Sequence, residues 1–282
     1  MSASHPLVST AWLEEHLDDP SVRIIDIRGH VTPASQPPPH YFNHHAQYLE
    51  AHIPGAVFID WVHEITDPAD PRHAQIAPPE RYEAALQRCG VHEDTLVVAY
   101  DDARGMFAAR LWWSLRYYGH VQAAVLDGGW ERWTAENRPT TSLIPDIMPG
   151  TFRAQPQHHL RKTAQEVEAS LGNQPLFDMR STDEYLGRSS RAARFGHIPT
   201  AFSLPRSELT DAEGKMLPKE QLREKFGTFG IRDEAQPVIF YCNAGVSASY
   251  GLLALHAAGF AGGAVYDGSW KDWGNDPSKP IE

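Results

Sequence analysis

Cysteine is scarce: Cys89 and Cys242 are the two in 282 residues. Two thiols so far apart make no disulfide framework, and neither belongs to a Cys-x-x-Cys pair. His-Glu-x-x-His is also missing, so no metal centre is expected. The densest histidine group, His40, His44 and His45, lies in a Pro-rich stretch and reads as solvated rather than ligating. No apolar run reaches the ~18–20 residues that a membrane span requires. Met1–Pro20 has no basic flank leading into an apolar stretch, so it does not read as a secretory signal. The expectation is a cytoplasmic protein without membrane contact. Basic residues are few, 25 against 36 acidic ones, for a formal charge of −11. That balance disfavours nucleic acid, whose phosphates need Lys and Arg. It leaves room for a small anionic ligand, which needs only local positive charge.

What is present is written twice. Ile25-Asp26-Ile27-Arg28 returns as Phe177-Asp178-Met179-Arg180, and His52-Ile53-Pro54-Gly55-Ala56 as His197-Ile198-Pro199-Thr200-Ala201. Tyr100-Asp101 returns as Tyr241-Cys242, and Asp127-Gly128-Gly129-Trp130 as Asp267-Gly268-Ser269-Trp270. Four matches in the same order, at a slowly drifting offset, identify a duplicated domain. Short apolar runs of buried-strand type alternate with helical stretches in each copy. The runs are Val22–Ile27, Leu96–Tyr100 and Ala123–Leu126, then Leu176–Met179, Val238–Tyr241 and Ala264–Tyr266. Helices are expected at Ala11–Leu17, Pro79–Cys89 and Met106–Tyr118, then at Ala164–Leu171, Lys219–Phe226 and Ala248–Ala258. Thr163 and Glu166 have the spacing of a capping box. The pattern predicts an α/β fold: two domains, each a parallel sheet with helices on both faces. Boundaries are read as 1–140 for the first domain, 141–160 for a linker inside the Pro-, Thr- and Gln-rich stretch Ala135–Leu160, and 161–282 for the second.

Chemistry is concentrated after one strand. Cys242-Asn243-Ala244-Gly245-Val246-Ser247 opens a short loop between the strand ending at Tyr241 and the next helix. Ligands of open α/β sheets bind at the carboxyl ends of strands. Successive backbone N–H groups in such a loop form a nest for an anion, and the helix start adds positive potential. Both favour a thiolate. Ala244, Gly245 and Ser247 are small enough to let the backbone curl round the sulfur. Cys89, inside a helical pattern, reads instead as a buried small hydrophobe.

Together the two Asp-x-Arg strands, the two His-Ile-Pro boxes, the Cys242–Ser247 loop and the two Asp-Gly-x-Trp segments resemble the tandem rhodanese-domain family of thiosulfate and 3-mercaptopyruvate sulfurtransferases, from about Pro6 to Pro280. The resemblance implies a catalytically silent first domain, and Asp101 stands where Cys242 stands in the second. It implies that Cys242 takes sulfur from a small anionic donor as a persulfide and passes it to a thiol, cyanide or a protein cysteine. Asn243, Ala244, Gly245, Val246 and Ser247 would cradle the sulfur, and no cofactor is called for. Ser247 would either donate to the persulfide or cap the helix.

A donor anion needs cations, and Arg188, Arg191 and Arg194 follow Arg180 closely. Of these, Arg188 and Arg191 are the candidate donor-binding residues. Relatives that use these donors well carry an arginine about where Glu184 stands, so Glu184 signals either an ordinary helix residue or a changed donor. Small neutral Asn243 and Ala244 lean toward the mercaptopyruvate type, although Ala244 lacks the serine hydroxyl of that group. Arg180 is expected to pair with a carboxylate, Asp178 to shape the loop, and His52 and His197 to be structural. A phosphatase of the cysteine-loop type would need arginine at the position of Ala248. The remaining alternative is a persulfide carrier or protein-binding module with poor turnover of small donors.

Overall fold

The computed structural model describes residues 5–33, 36–37 and 39–282. The first four residues of the stretch read for a signal therefore lie outside the described residues. The chain divides into two compact units. One comprises residues 1–68, 76–156 and 212–215, the other 69–75, 157–211 and 216–282.

In the first unit the strands are β1 (Leu7–Val8), β2 (Val22–Asp26), β3 (Gly29–Val31), β4 (Tyr41–Asn43), β5 (Val57–Phe58), β6 (Leu96–Tyr100) and β7 (Ala123–Leu126). The helices are α1 (Thr10–Glu15), α2 (His45–Glu50), α3 (Pro79–Arg88), α4 (Met106–Tyr117) and α5 (Gly129–Ala135). The second unit holds β8 (Arg161–Lys162), β9 (Leu176–Asp178), β10 (Phe202–Ser203), β11 (Ile239–Tyr241) and β12 (Ala264–Tyr266). Its helices are α6 (Ala164–Ser170), α7 (Thr182–Tyr185), α8 (Lys219–Thr228), α9 (Val246–Ala257) and α10 (Ser269–Trp273).

The two main sheets are parallel and run in the same order, β1-β7-β6-β2-β5 and β8-β12-β11-β9-β10. The central strands β6 and β11 are buried at consecutive positions, Val97–Tyr100 and Ile239–Tyr241. Neighbouring strand residues face opposite sides, so burial of both requires cover on both faces. The helices supply that cover. The capping box of Thr163 and Glu166 forms at the start of α6.

The edge strands β1, β5, β8 and β10 are two residues long and carry no periodicity, which is why the sequence displays three strands per copy and the structure five. The hairpin of β3 and β4 is antiparallel and belongs to the first unit. It corrects the reading of the histidine group. His45 begins α2, and His44 is not a solvated loop residue: its ring lies between Asp102 Oδ2 (2.6 Å) and His30 Nδ1 (2.7 Å).

A buried network recurs in both units and fixes the carboxyl ends of the strands. Arg28 and Arg180 donate through Nε to Asp26 and Asp178. Each guanidinium stacks on a tryptophan, Trp130 or Trp270, at 4.3 Å. Tyr100 and Tyr241 donate to the same two carboxylates at 2.6 Å and accept from the N–H of Ile53 and Ile198 at 3.2 Å. Asp-x-Arg is thus a brace between adjacent strands, as the pairing expected for Arg180 implied. His52 and His197 are structural too. Their Nδ1 atoms lie 2.7 and 2.9 Å from the carbonyls of Tyr48 and Tyr185, whose rings they stack on.

Candidate active site

The end of β11 delivers Cys242 to the head of α9. Cys242 is 4% exposed, Ala244 and Val246 are buried, and Asn243 and Ser247 are half-buried. Gly245 caps α9 with φ +75°, a left-handed conformation that a side chain would strain. The cap role weighed for Ser247 therefore falls to Gly245, and Ser247 stands at the second helical position. Its N–H and that of Ala248 belong to the first turn, which has no carbonyl one turn earlier in the helix to bond.

Two contacts tie α10 to this loop. Trp270 N–H donates to the Cys242 carbonyl (2.9 Å) and Lys271 N–H to the Asn243 carbonyl (3.0 Å). Ser269, at φ +53°, adds a third. Its Oγ accepts from the N–H groups of Cys242 and Gly245, both at 3.1 Å, and donates to the Tyr266 carbonyl at 2.7 Å. Asn243 is held from another side by Glu184, whose Oε1 accepts from Asn243 Nδ2 at 2.7 Å. The other oxygen of Glu184 closes a capping box with Ser181 at the start of α7. So Glu184 is both a helix cap and a tether on the cysteine loop.

The arginines separate into different roles. Arg188 is two-thirds exposed and pairs with Asp183 at 3.0 Å. Arg194 donates to the carbonyls of Trp273, Gly274, Asp276 and Lys279, stapling the C-terminal turns together. The Arg191 charge acts on Lys271. Burial and the Arg191 charge push the Lys271 ammonium down to about 8, while the Cys242 sulfur pulls the other way. Lys271, Arg191 and Cys242 thus share one electrostatic neighbourhood. Cys89 differs in every respect. It is fully buried at the end of α3, and burial pushes its thiol up to about 12. Among the described residues no group of three or more His, Cys, Asp or Glu could hold a metal ion.

The loop of the first unit explains what this geometry is for. Asp101 follows β6 as Cys242 follows β11, and Gly105 caps α4 with φ +79°. The Asp101 carboxylate accepts four backbone N–H groups: Ala103 (2.9 Å), Gly105 (2.8 Å), Phe107 (2.7 Å) and Ala108 (2.8 Å). Phe107 and Ala108 are the second and third residues of α4, as Ser247 and Ala248 are of α9. This turn of chain is an anion nest. In the first unit its own side chain fills it.

A rhodanese-like domain model matches residues 9–136 and again 163–276. The chain belongs to the rhodanese family. It is 30% identical over 280 residues to the 3-mercaptopyruvate sulfurtransferase of Escherichia coli, covering 98% of this chain and 97% of the relative. A probable 3-mercaptopyruvate sulfurtransferase of Pseudomonas aeruginosa is 33% identical, over 99% of this chain and 98% of its own. The sulfur carrier protein TtuD of Thermus thermophilus is 30% identical over the whole of this chain and 98% of its own. Among solved structures, SseA from Escherichia coli, a 3-mercaptopyruvate sulfotransferase of rhodanese fold, matches with a TM-score of 0.82 at 29% identity. It covers 94% of this chain and 99% of that one. Within this rhodanese, three site features escaped the sequence reading: Ser269, the Glu184–Asn243 tether and Lys271. Ser269 and Lys271 stood in plain view inside the Asp-Gly-x-Trp repeat, where the substitutions of Gly129 by Ser269 and Glu131 by Lys271 were the available signal.

Proposed function

We propose that this rhodanese moves sulfane sulfur from thiosulfate or 3-mercaptopyruvate to a thiophilic acceptor through a persulfide on Cys242. The observation that carries the reading is the Asp101 nest: the loop that binds a carboxylate through four N–H groups in one copy carries a thiol at the same position in the other. The Cys242 thiolate attacks the outer sulfur of the donor. With thiosulfate, the S–S bond breaks and its electron pair leaves with sulfite. With 3-mercaptopyruvate, the C–S bond breaks, the pair goes to carbon as an enolate, and a proton completes pyruvate. Cys242 then carries S–S⁻, which the other backbone N–H groups of the loop and the start of α9 stabilise, while Ser269 holds the Gly245 N–H. An acceptor such as cyanide or a thiol attacks the terminal sulfur and restores the thiolate, so ping-pong kinetics are expected. Asn243, Ala244, Gly245, Val246 and Ser247 form the cradle. Arg191, the one of the two candidate arginines whose charge acts on Lys271, is favoured over Arg188 for the donor.

Ala248 is a buried alanine where a cysteine phosphatase needs its arginine, so phosphoryl transfer lacks its charge clamp. A carrier role is the second reading, favoured by the likeness to TtuD and by Glu184 at a position where efficient relatives have arginine. The reading is tested by intact-protein mass spectrometry after exposure to each donor. One sulfur is gained, is lost on adding cyanide, is absent in Cys242→Ala and persists in Cys89→Ser. Sulfur retained in Cys242→Ala overturns it. Slow steady-state turnover of small donors, with rapid loading from a protein persulfide, decides for the carrier.

A further inference from the structure

We propose that Lys271, acting with Arg191, is the residue that captures the anionic head of the sulfur donor beside Cys242. This rests on the sulfurtransferase reading and deepens it. Lys271 is the residue after Trp270, and its own N–H is bonded to the Asn243 carbonyl. Together with the Trp270–Cys242 bond and the Ser269 hydroxyl, this fixes the Lys271 backbone against the cysteine loop. The side chain is half-buried, and the Arg191 charge and the Cys242 sulfur both act on its ammonium.

Burial first, and then the Arg191 charge, lower the Lys271 ammonium to about 8, and an anion bound beside it would favour the charged form. Arg194 is consumed as a staple, and Arg188 is a solvated partner of Asp183. Glu184 is an anion where relatives are expected to carry a cation. Lys271 restores the missing charge from the opposite end of the domain sequence.

The first unit supplies the control. The residue equivalent to Lys271 is Glu131, after Trp130, whose N–H donates to the Asp101 carbonyl at 2.8 Å. Glu131 is exposed, yet partial burial and the Asp101 and Asp102 carboxylates raise its pKa. The copy whose nest is filled by its own carboxylate thus has an acidic mouth. The copy whose nest holds a thiol has a basic one. A charge reversal at this one position is what admission of an anionic donor requires, because a like charge at the mouth repels it.

The test is single-turnover loading of Cys242, followed by mass spectrometry across donor concentrations, for wild type, Lys271→Arg, Lys271→Gln and Lys271→Glu. Losing a charge-assisted contact should raise the half-loading concentration of thiosulfate about 10-fold in Lys271→Gln and about 100-fold in Lys271→Glu. Lys271→Arg should stay within about 3-fold, because the charge is kept. Discharge of a preformed persulfide by uncharged dithiothreitol should change by less than about 3-fold in all three, a selectivity that general damage to the fold would not give. Raising sodium chloride from about 0.05 to 0.5 M should weaken loading of wild type and have less effect on Lys271→Gln. Wild-type concentration dependence in Lys271→Glu would overturn the role of Lys271 while leaving the persulfide in place. A wild-type protein that gains no sulfur at all would overturn the underlying function as well.

Discussion

Asp101 and Cys242 end the same central strand in two copies of one domain, and the loops that follow them differ in what they do with their N–H groups. Asp101 gathers four of them. In the second loop the N–H of the capping glycine, Gly245, goes to the Ser269 hydroxyl. Where the first copy has Gly129, a Cβ would come within 2.4 Å of the Asp101 carbonyl. Where the second has Ser269, a left-handed serine is tolerated in return for two bonds to the loop. A nest satisfied internally is a structural joint. The same turn with a thiol in place of the carboxylate, braced by Ser269, is what the proposed persulfide would use.

The most direct way to break the comparison is to make the second loop resemble the first. Cys242→Asp should fold, with a urea midpoint at or above that of wild type, because the carboxylate takes up the N–H groups at the head of α9. Sulfur transfer should fall by at least about 1,000-fold, since no nucleophile remains. Residual transfer near the wild-type rate would show that another thiol carries the sulfur. Next in size is Asp101→Ala, which strands four backbone donors, three of them buried. A loss of about 2–4 kcal/mol is expected from urea denaturation, with Cys242 still loading in the folded fraction. A loss under about 1 kcal/mol would mean that water replaces the carboxylate easily, and the nest argument would weaken in both copies. Smaller again is Ser269→Ala. It removes the hydroxyl, leaves the left-handed backbone, and should cost about 1–3 kcal/mol. It should also slow persulfide formation, because the loop loses its brace, and unchanged loading would make Ser269 purely structural.

How much of this could be read from the residues depends on the scale of the signal. The duplication was legible because Asp-x-Arg, His-Ile-Pro and Asp-Gly-x-Trp are each dictated by the buried brace of Asp178, Arg180, Tyr241 and Trp270. That brace has no freedom to drift. The long elements were legible because β6 is a continuous apolar run and α4 is a long, mostly apolar stretch. Two-residue strands such as β5 and β10 were not, since a strand that short is defined by its partner and not by its own pattern. At the site, Cys242 and its small neighbours announced themselves by position after a strand. The tether of Glu184 to Asn243 spans 59 residues of sequence, and nothing local announces a contact at that separation. Arg188, Arg191 and Arg194 look alike in sequence. Only packing distinguishes a solvated ion pair, a cation acting on Lys271 and a staple of carbonyls.

The finest distinction between the copies is a titration. The charges that act on the Lys271 ammonium include the Arg191 guanidinium and the Cys242 sulfur. Burial and Arg191 lower its ammonium to about 8, so the charge is present below that pH and fades above it. Donor capture should fade with it. Arginine keeps its charge at every such pH, which sets a floor. Higher pH also favours a thiolate nucleophile in general, so the raw pH–rate profile mixes two effects. Dividing the second-order loading rate of wild type by that of Lys271→Arg removes the shared cysteine, because arginine keeps its charge across the range. From pH 7 to pH 9 that ratio should fall by severalfold, at most about 10-fold, the change in the protonated fraction of a group titrating near 8. An unchanging ratio would mean that the ammonium does not meet the donor. The reversal from Glu131 to Lys271 would then be a difference of surface charge and not of function.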